Sequence, residues 1–428
     1  MPSTTSIGLK LPLKSVVHYL QPVDDWLPID KQVGIAGVIN GLAMKVLFLD
    51  QSGQLGGAEL SLTDVAKHFK HQGLVYLFEG GPFADKLAAA QVPYKVRQRP
   101  SLSISKESGL WQGLLSLRQL LPLVGEVAKM AQTYDLIYAN TQKALVVGAM
   151  ASVLARKPLV YHLRDILSAE HFSPINRRVA ITLANTCATL VIANSQATRQ
   201  AFMDAGGRPQ LIKVVYNGFD PDQYEGQPLL RPVLQQQHAI QEGFWIGHFS
   251  RLSPWKGQHV LVDALQYLDE AVQVLLVGKA LFGEDDYVQS LQAKILNFGL
   301  QDHVHFLGFR SDIPALMASC DLVAHTSTSP EPFGRVIIES MLSGCPVVAA
   351  KDGGATELID HGKTGWLCPP NDPQQLAQMI GECQRQPQLR QKIATQARVQ
   401  ASQTFSLEQT NQVIAGLLQQ HVRRTTSS

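Results

Sequence analysis

From residue 45 to residue 350 the chain alternates short apolar, β-branched runs with amphipathic stretches, and it does so in two series. In the first series the runs 45–50, 74–78, 136–139, 159–162 and 190–193 are short and almost continuously apolar, so each predicts a strand buried on both faces. Between them, 59–70, 110–132, 144–155 and 175–186 carry helical spacing. Strands separated by helices of that length pair in parallel, because a parallel crossover needs about a dozen residues. The second series repeats the pattern, with strands at 245–249, 272–277, 304–306, 322–325 and 347–350. Helical stretches at 257–268, 287–298, 313–318 and 333–342 alternate with them. The expectation is an α/β chain of two doubly wound domains facing each other across a cleft, with ligands beyond the carboxyl ends of the strands.

Pro221, Gly226, Pro228, Pro232 and a run of glutamines interrupt the rhythm and read as a connector. The expected organisation is an extension of unassigned role at 1–43, a first domain at 44–225 and a linker at 226–240. A second domain at 241–405 and a helix and tail at 406–428 follow, the helix long enough to fold back on the body. Met44 opens the first clean strand and is an alternative start.

Composition removes several function classes. Lys and Arg number 37 against 35 Asp and Glu, a net charge of +2, so an electrostatic grip on nucleic acid is not expected. The five cysteines are scattered and never spaced as CxxC, which fits a reducing compartment rather than a disulfide framework or a zinc knuckle. No apolar core suits a secretory signal, and no run nears the ~20 residues of a spanning helix. A cytoplasmic protein is expected. A peripheral membrane contact is a candidate through Arg156, Lys157, Arg164, Arg177 and Arg178 with the Leu-rich stretch 110–123. The alternative is a buried amphipathic helix with solvated cations.

The segment Ser329-Pro330-Glu331-Pro332-Phe333-Gly334-Arg335-Val336-Ile337-Ile338-Glu339 carries the strongest chemical signal. Pro332 suits the first turn of a helix, and Gly344 and Pro346 suit its end. A helix running through both glutamates would set them about 80° apart and roughly 12 Å along the axis. That is too far for a shared acid pair. It suits the two ends of one extended ligand whose anionic middle meets the helix start. Otherwise Glu331 is a dipole partner and Glu339 a solvated helix residue.

Arg251 and Lys256 stand five apart on a Pro/Gly-punctuated turn after a strand, a pattern suited to a diphosphate, or else they are ordinary loop cations. Gly56 and Gly57 follow the first strand but do not complete GxGxxG, which disfavours a nicotinamide dehydrogenase. Adjacent glycines before a helix still permit close backbone approach to a ligand. His162 ends another strand of the first domain and is either a structural histidine or a cleft residue. Asp352-Gly353-Gly354-Ala355-Thr356-Glu357 follows a strand, opens a helix and forms a second candidate anion turn. No acidic cluster suggests a metal.

Together these motifs resemble the retaining GT-B glycosyltransferases of family 4, the group that also holds sucrose and phosphatidylinositol mannoside synthases. Glu331 and Glu339 match its E-x7-E motif. The likeness runs from 45 to about 405 and is best over 310–370, including Gly-Cys-Pro-Val-Val-Ala-Ala and Gly-Lys-Thr-Gly-Trp-Leu. It implies transfer of a sugar from a nucleotide-diphosphate sugar, as co-substrate, to a saccharide, lipid-linked or small-molecule acceptor, with no cofactor and no metal. By the same resemblance Arg251 and Lys256 hold the donor diphosphate, and Glu339 binds the ribose hydroxyls. Glu331, with Phe333, Gly334 and Val336, holds the donor sugar, and Gly308, Phe309 and Arg310 lie beside the base. His162 is placed against the transferred sugar, and Gly56 and Gly57 line the phosphate and acceptor side. The chain departs from the pattern at Ser250, where a Gly commonly stands, and at Lys279 and Ala280, in a turn that is usually Gly-rich. A non-catalytic nucleotide-sugar-binding protein and a GT-B sugar-nucleotide epimerase are the alternatives.

Overall fold

The computed structural model describes residues 44–98, 110–169, 172–268, 272–281 and 283–426. The extension expected at 1–43 lies outside the described residues. The first series of elements is β1 (Val46–Asp50), α1 (Gly57–His68), β2 (Gly73–Leu77), α2 (Pro82–Ala89), β3 (Tyr94–Val96), α3 (Leu110–Ala131) and β4 (Leu136–Ala139). It continues with α4 (Gln142–Ala155), β5 (Leu159–Leu163), α5 (Pro174–Cys187), β6 (Ala188–Ala193), α6 (Gln196–Asp204) and β7 (Ile212–Val214). These strands form one parallel sheet in the order β3-β2-β1-β4-β5-β6-β7.

The second series opens with α7 (Arg231–His238), β8 (Phe244–Phe249), α8 (Gln258–Ala264), β9 (Val272–Val277), α9 (Asp285–Asn297) and β10 (Val304–Gly308). Next come α10 (Ile313–Ala318), β11 (Leu322–His325), α11 (Arg335–Leu342), β12 (Val347–Ala350), α12 (Ala355–Leu358) and β13 (Trp366–Cys368). The chain closes with α13 (Pro373–Arg385), α14 (Pro387–Thr404) and α15 (Leu407–Thr426). The second sheet is also parallel, in the order β10-β9-β8-β11-β12-β13. The strand order reverses beside β1 in one sheet and beside β8 in the other. A parallel sheet leaves a crevice at that point, where the helices on either side diverge.

Continuous apolar strands are required because both faces of each sheet are covered. Leu47 and Leu49 of β1 face a core with Val127 of α3 and Leu145 of α4, while Val46 and Phe48 face Leu62 of α1. Each such fully buried side chain contributes about 1.5–3 kcal/mol relative to exposure. The second sheet is covered alike, Trp245 and Val323 meeting Ile337 and Met341 of α11, and Val274 and Leu276 meeting Leu261 of α8. Hydroxyl caps start several helices: Thr141 Oγ1 accepts from the Ala144 amide at 3.3 Å and Ser195 Oγ from that of Thr198 at 3.0 Å.

Two features differ from the sequence expectation. The stretch expected as a linker holds helix α7, whose Leu234 is buried with Trp245 and whose Arg231 pairs with Asp321. Pro232 occupies its first turn, where a missing amide costs nothing, so proline there starts a helix. The short edge strands β3, β7 and β13 were not expected; β3 and β7 each carry a lysine at the centre, which breaks the apolar run. Helix α15 returns to the first domain, placing Ile414, Ala415 and Leu418 in the core with Phe48 and Leu62. The two crossings between domains run side by side, the Phe219 amide donating to the Phe405 carbonyl at 2.8 Å and the Leu407 amide to the Phe219 carbonyl at 2.9 Å.

Candidate active site

β8 and β11 are neighbours at the reversal point of the second sheet, and the segments leaving their carboxyl ends carry the charged residues. After β8 the chain makes a short 3-10 turn at Pro254–Lys256 and reaches Gly257 at φ +70°. An added Cβ on Gly257 would lie 1.9 Å from the Thr326 carbonyl oxygen, so only glycine lets this turn close against the segment after β11. The approach brings Lys256 to Glu331. Lys256 Nζ lies 2.6 Å from Glu331 Oε2, with the Trp255 ring 3.8 Å from the ammonium.

Glu331 receives two further donors at Oε2, Ser327 Oγ at 3.0 Å and His325 Nε2 at 3.3 Å. Burial raises its pKa, but Lys256 and His325 outweigh that effect and hold the carboxyl well below the usual range. Its carbonyl accepts from the Gly354 amide at 2.7 Å, and Gly353, at φ +55°, sits where a side chain would strike the Glu331 backbone. The turn of Asp352, Gly353 and Gly354 therefore seats Glu331.

The expected helix register needs correction. Helix α11 starts at Arg335 behind Gly334 at φ +96°, so Glu331, Pro332 and Phe333 precede it. The Pro332 carbonyl points outward and accepts from Ser195 Oγ at 2.5 Å and Thr198 Oγ1 at 3.2 Å in the first domain. Because the helix begins only at Arg335, behind a left-handed Gly334, the 80° and 12 Å of a continuous helix do not apply. Phe333 turns inward, stacking on Phe219 at 6.3 Å and meeting Phe405 edge-on. Val336 is half-buried against the same core.

Glu339 is not a solvated helix residue. Its Oε1 lies 3.2 Å from Arg335 Nε, and both side chains are largely buried. Burial raises its pKa, and Arg335 offsets part of the rise. Arg335 also reaches the first domain, with Nη1 2.8 Å from Ser61 Oγ and 3.3 Å from Asp64 Oδ2. Gly57 opens α1 directly beside it, a Cβ there falling 3.5 Å from Arg335 Cδ, and Gly56 precedes that helix.

The remaining expected residues have partners of their own. Arg251 Nε lies 3.2 Å from Glu284 Oε2, while Ser253 Oγ donates to Glu284 Oε1 at 2.6 Å. Gly308 ends β10 at φ +67°, and Phe309 beside it is 60% exposed, with Lys279 Nζ 5.8 Å from its ring. Arg310 forks onto Asp312 at 2.9 and 2.6 Å. The structure thus brings Lys256 and Glu331 into contact and leaves Arg251 and Glu339 on other carboxylate or guanidinium partners.

In the first domain His162 is buried, its Nδ1 shared by the Tyr138 hydroxyl and by Arg164 Nη2 at 3.2 Å. Burial, then Arg164, drives its pKa well below 6.5, so the ring is neutral at physiological pH. Arg164 is not a surface cation: Nε donates to Asn140 Oδ1 at 2.5 Å and Nη1 to Asn217 Oδ1 at 2.9 Å. Asn140 in turn donates to Asp50 Oδ2 at 2.7 Å. Burial raises Asp50 to about 6, and burial plus Asp50 raises Glu59 to about 7. Acids with raised native pKa values contribute stability below their unfolded values of about 4, lost as pH rises through about 7. Glu59→Gln is therefore expected to gain melting temperature over the parent chain between pH 5 and pH 8. Parallel melting curves across that window would count against it.

Sequence reasoning missed His325, Arg335, Asp64 and the cross-domain role of Glu357. His325 ends a strand at the reversal point, and Arg335 stands inside the motif, so both had a positional signal. Glu357 stood in the second candidate anion turn, but it accepts from the Gln196 and Ala197 amides at 2.8 Å each and from the Tyr216 hydroxyl at 2.9 Å, a link between domains. Among the described residues no group of three or more His, Cys, Asp or Glu is placed to hold a metal ion.

Comparison with known proteins agrees with this architecture. Residues 55–223 match the model described as Glycosyltransferase Family 4, and residues 231–400 match Glycosyl transferases group 1. The crystal structure of Anabaena HepE in complex with UDP-glucose is 54% identical at a TM-score of 0.82, covering 88% of this chain and 100% of that one. The chain belongs to the GT-B-fold glycosyltransferases of family 4 and group 1. Among curated relatives, a GDP-mannose-dependent α-(1-6)-phosphatidylinositol monomannoside mannosyltransferase of Mycobacterium tuberculosis is 30% identical over 198 residues, 44% of this chain and 50% of that protein. The putative colanic acid biosynthesis glycosyltransferase WcaL of Salmonella typhimurium is 29% identical over 268 residues, 61% of this chain and 63% of that protein. The chain spans about half the length of the first of these curated relatives. Within the family, the paired sheets are the two Rossmann-like domains of GT-B, and the reversal points border its cleft.

Proposed function

We propose that this glycosyltransferase moves a sugar, with retention of anomeric configuration, from a nucleotide-diphosphate sugar to a hydroxyl acceptor. A UDP-sugar is the first donor to test, because HepE, at 54% identity, is seen with UDP-glucose. The observation that carries the reading is the buried Lys256–Glu331 pair, held at the reversal point of the second sheet. It sets a cation and a carboxylate side by side, as the phosphate and the sugar hydroxyls of a donor require.

In this reading Arg251 and Lys256 hold the diphosphate and stabilise the charge that builds on the departing phosphate. An ammonium has three donors, so Lys256 can serve a phosphate oxygen without leaving Glu331. Glu331, kept ionised, accepts from sugar hydroxyls beside the backbone of Phe333 and Gly334, with Val336 in the same segment. Glu339 takes the ribose hydroxyls, and Gly308, Phe309 and Arg310 flank the base. His162, neutral, accompanies the transferred sugar, and Gly56 and Gly57 line the phosphate and acceptor side. Glu331 is assigned no covalent role, and a front-face path accounts for retention. Two cationic side chains take the place of a metal.

The acceptor is a saccharide, a lipid-linked saccharide or a small molecule. We place the chain in the cytoplasm, a reading supported by five cysteines without a disulfide. No helix among the described residues is long and apolar enough to cross a membrane. Side chains of α3 before Leu120 lie outside the described residues, and with them most of the Leu-rich stretch 110–123. Peripheral contact finds support on α4 and α5 instead, where Val153, Leu154, Ile175 and Val179 are exposed beside Arg156 and Arg178. Co-sedimentation with anionic vesicles at low salt is expected, and Ile175→Asp should abolish it; an unbound parent chain removes the membrane reading.

A thermal-shift screen against UDP-, GDP- and ADP-sugars tests the donor assignment. A rise in melting temperature with a UDP-sugar supports it, and no response to any nucleotide sugar overturns it.

A further inference from the structure

Arg335 takes no part in the chemistry assigned above, yet its guanidinium is among the most fully engaged groups in the cleft. One edge meets Glu339 and another meets Ser61 and Asp64 of the opposite domain. Its face lies over Phe219, with the carbon 4.5 Å from the ring centroid, at the point where the chain crosses between domains. Its stem lies against Gly57, where an added Cβ would be in ordinary van der Waals contact with Cδ at 3.5 Å. Burial alone would lower its pKa, but Glu339, Asp64 and Tyr224 raise it, so the charge persists.

A single planar cation thus joins two carboxylates on different domains. Removing it would leave Asp64 and Glu339 facing each other without a counter-charge, and like charges in a poorly solvated site push apart. A carboxylate has about four lone-pair sites, so Glu339 can keep Arg335 while accepting ribose hydroxyls.

We propose that Arg335 is a positioning residue that transmits occupancy of the donor pocket to the acceptor-side domain, acting through Glu339 on one side and Asp64 on the other. The proposal rests on the reading of Glu339 as the ribose residue. A nucleotide that orders Glu339 fixes Arg335, and Arg335 fixes α1. Arg335 contributes to approach of the domains, with no contact to the reacting atoms.

The test combines nucleotide affinity by calorimetry with amide exchange of residues 60–68, using UDP, or GDP where the parent chain prefers it. In the parent chain the nucleotide is expected to slow exchange in 60–68 by about tenfold or more. Arg335→Met and Asp64→Asn should each keep nucleotide affinity within about threefold and lose that slowing. The double variant should lose no more than either single one, because both remove one link. Arg335→Lys, which keeps charge but not the fork, should restore only part of the slowing and covers the case in which Arg335→Met does not fold.

Slowing retained in Arg335→Met, or in Arg335→Lys and Asp64→Asn where that variant does not fold, overturns the proposal. So does an affinity loss above tenfold in Arg335→Met or Asp64→Asn, which would place the residue in the donor site itself. The underlying reading has its own arm: Glu339→Ala should weaken nucleotide binding by tenfold or more. Unchanged affinity there removes the ribose assignment and, with it, transmission through Glu339; weakened affinity with slowing retained in Arg335→Met overturns the proposal alone. A parent chain that binds neither nucleotide overturns both.

Discussion

Lys256→Ala is expected to cut sugar transfer by about 10²–10³-fold, the range seen when one preorganised donor to a developing oxyanion is removed. The variant should also bind UDP more weakly, since the ammonium faces phosphate in the ground state as well as the transition state. Both losses follow from position. Lys256 is fixed by the Gly257 turn and by Trp255, so its ammonium is preorganised rather than recruited on binding. Turnover and UDP affinity, measured separately, decide the matter. A variant altered only in acceptor affinity would mean that Lys256 faces the other substrate.

Glu331→Ala is expected to reduce turnover by at least about 10²-fold while leaving the fold in place, because part of the residue's structural role is carried by its backbone. The Glu331 carbonyl still binds Gly354, and Gly353 still fits against the main chain. What is lost is the acceptor of sugar hydroxyls and the counter-charge to Lys256. A buried ammonium without its carboxylate is costly, so Glu331→Gln is the milder comparison. The folded pKa of Glu331 lies below its unfolded value, so its stabilisation is present above about pH 4.5 and is lost only in stronger acid. Melting temperatures near pH 7 should therefore drop in Glu331→Gln relative to the parent chain. Near-normal turnover in either variant would remove Glu331 from the donor site.

How much of this was legible in the sequence depends on how far apart the interacting residues stand along the chain. The strands at 46–50, 136–139 and 272–277 announced themselves because a strand buried on both faces has to be continuously apolar. The carboxyl-end placement of Lys256, Glu331 and His162 followed from the same parallel topology. Lys95 and Lys213 interrupt the edge strands β3 and β7, and Pro232 opens a helix in a stretch whose prolines and glycine equally suit a connector. The register of the Glu331 segment was misread because Pro332 suits a helix start, while Gly334 at φ +96° sets the start three residues later. The links from Arg335 to Asp64 and from Glu357 to Gln196 join residues 271 and 161 positions apart. No local pattern encodes such pairs. They appear once both domains have folded and face each other.

The return of the last helix to the first domain has a practical side. Because α15 packs with Phe48 and Leu62, a fluorophore carried near the carboxyl terminus travels with the amino-terminal half of the molecule, although it follows the other half in sequence. Paired with a second dye on α13, it would gauge the opening of the jaws directly. The two adjacent crossings at Phe219 and Phe405 would favour a swing about one line over a twist between the halves.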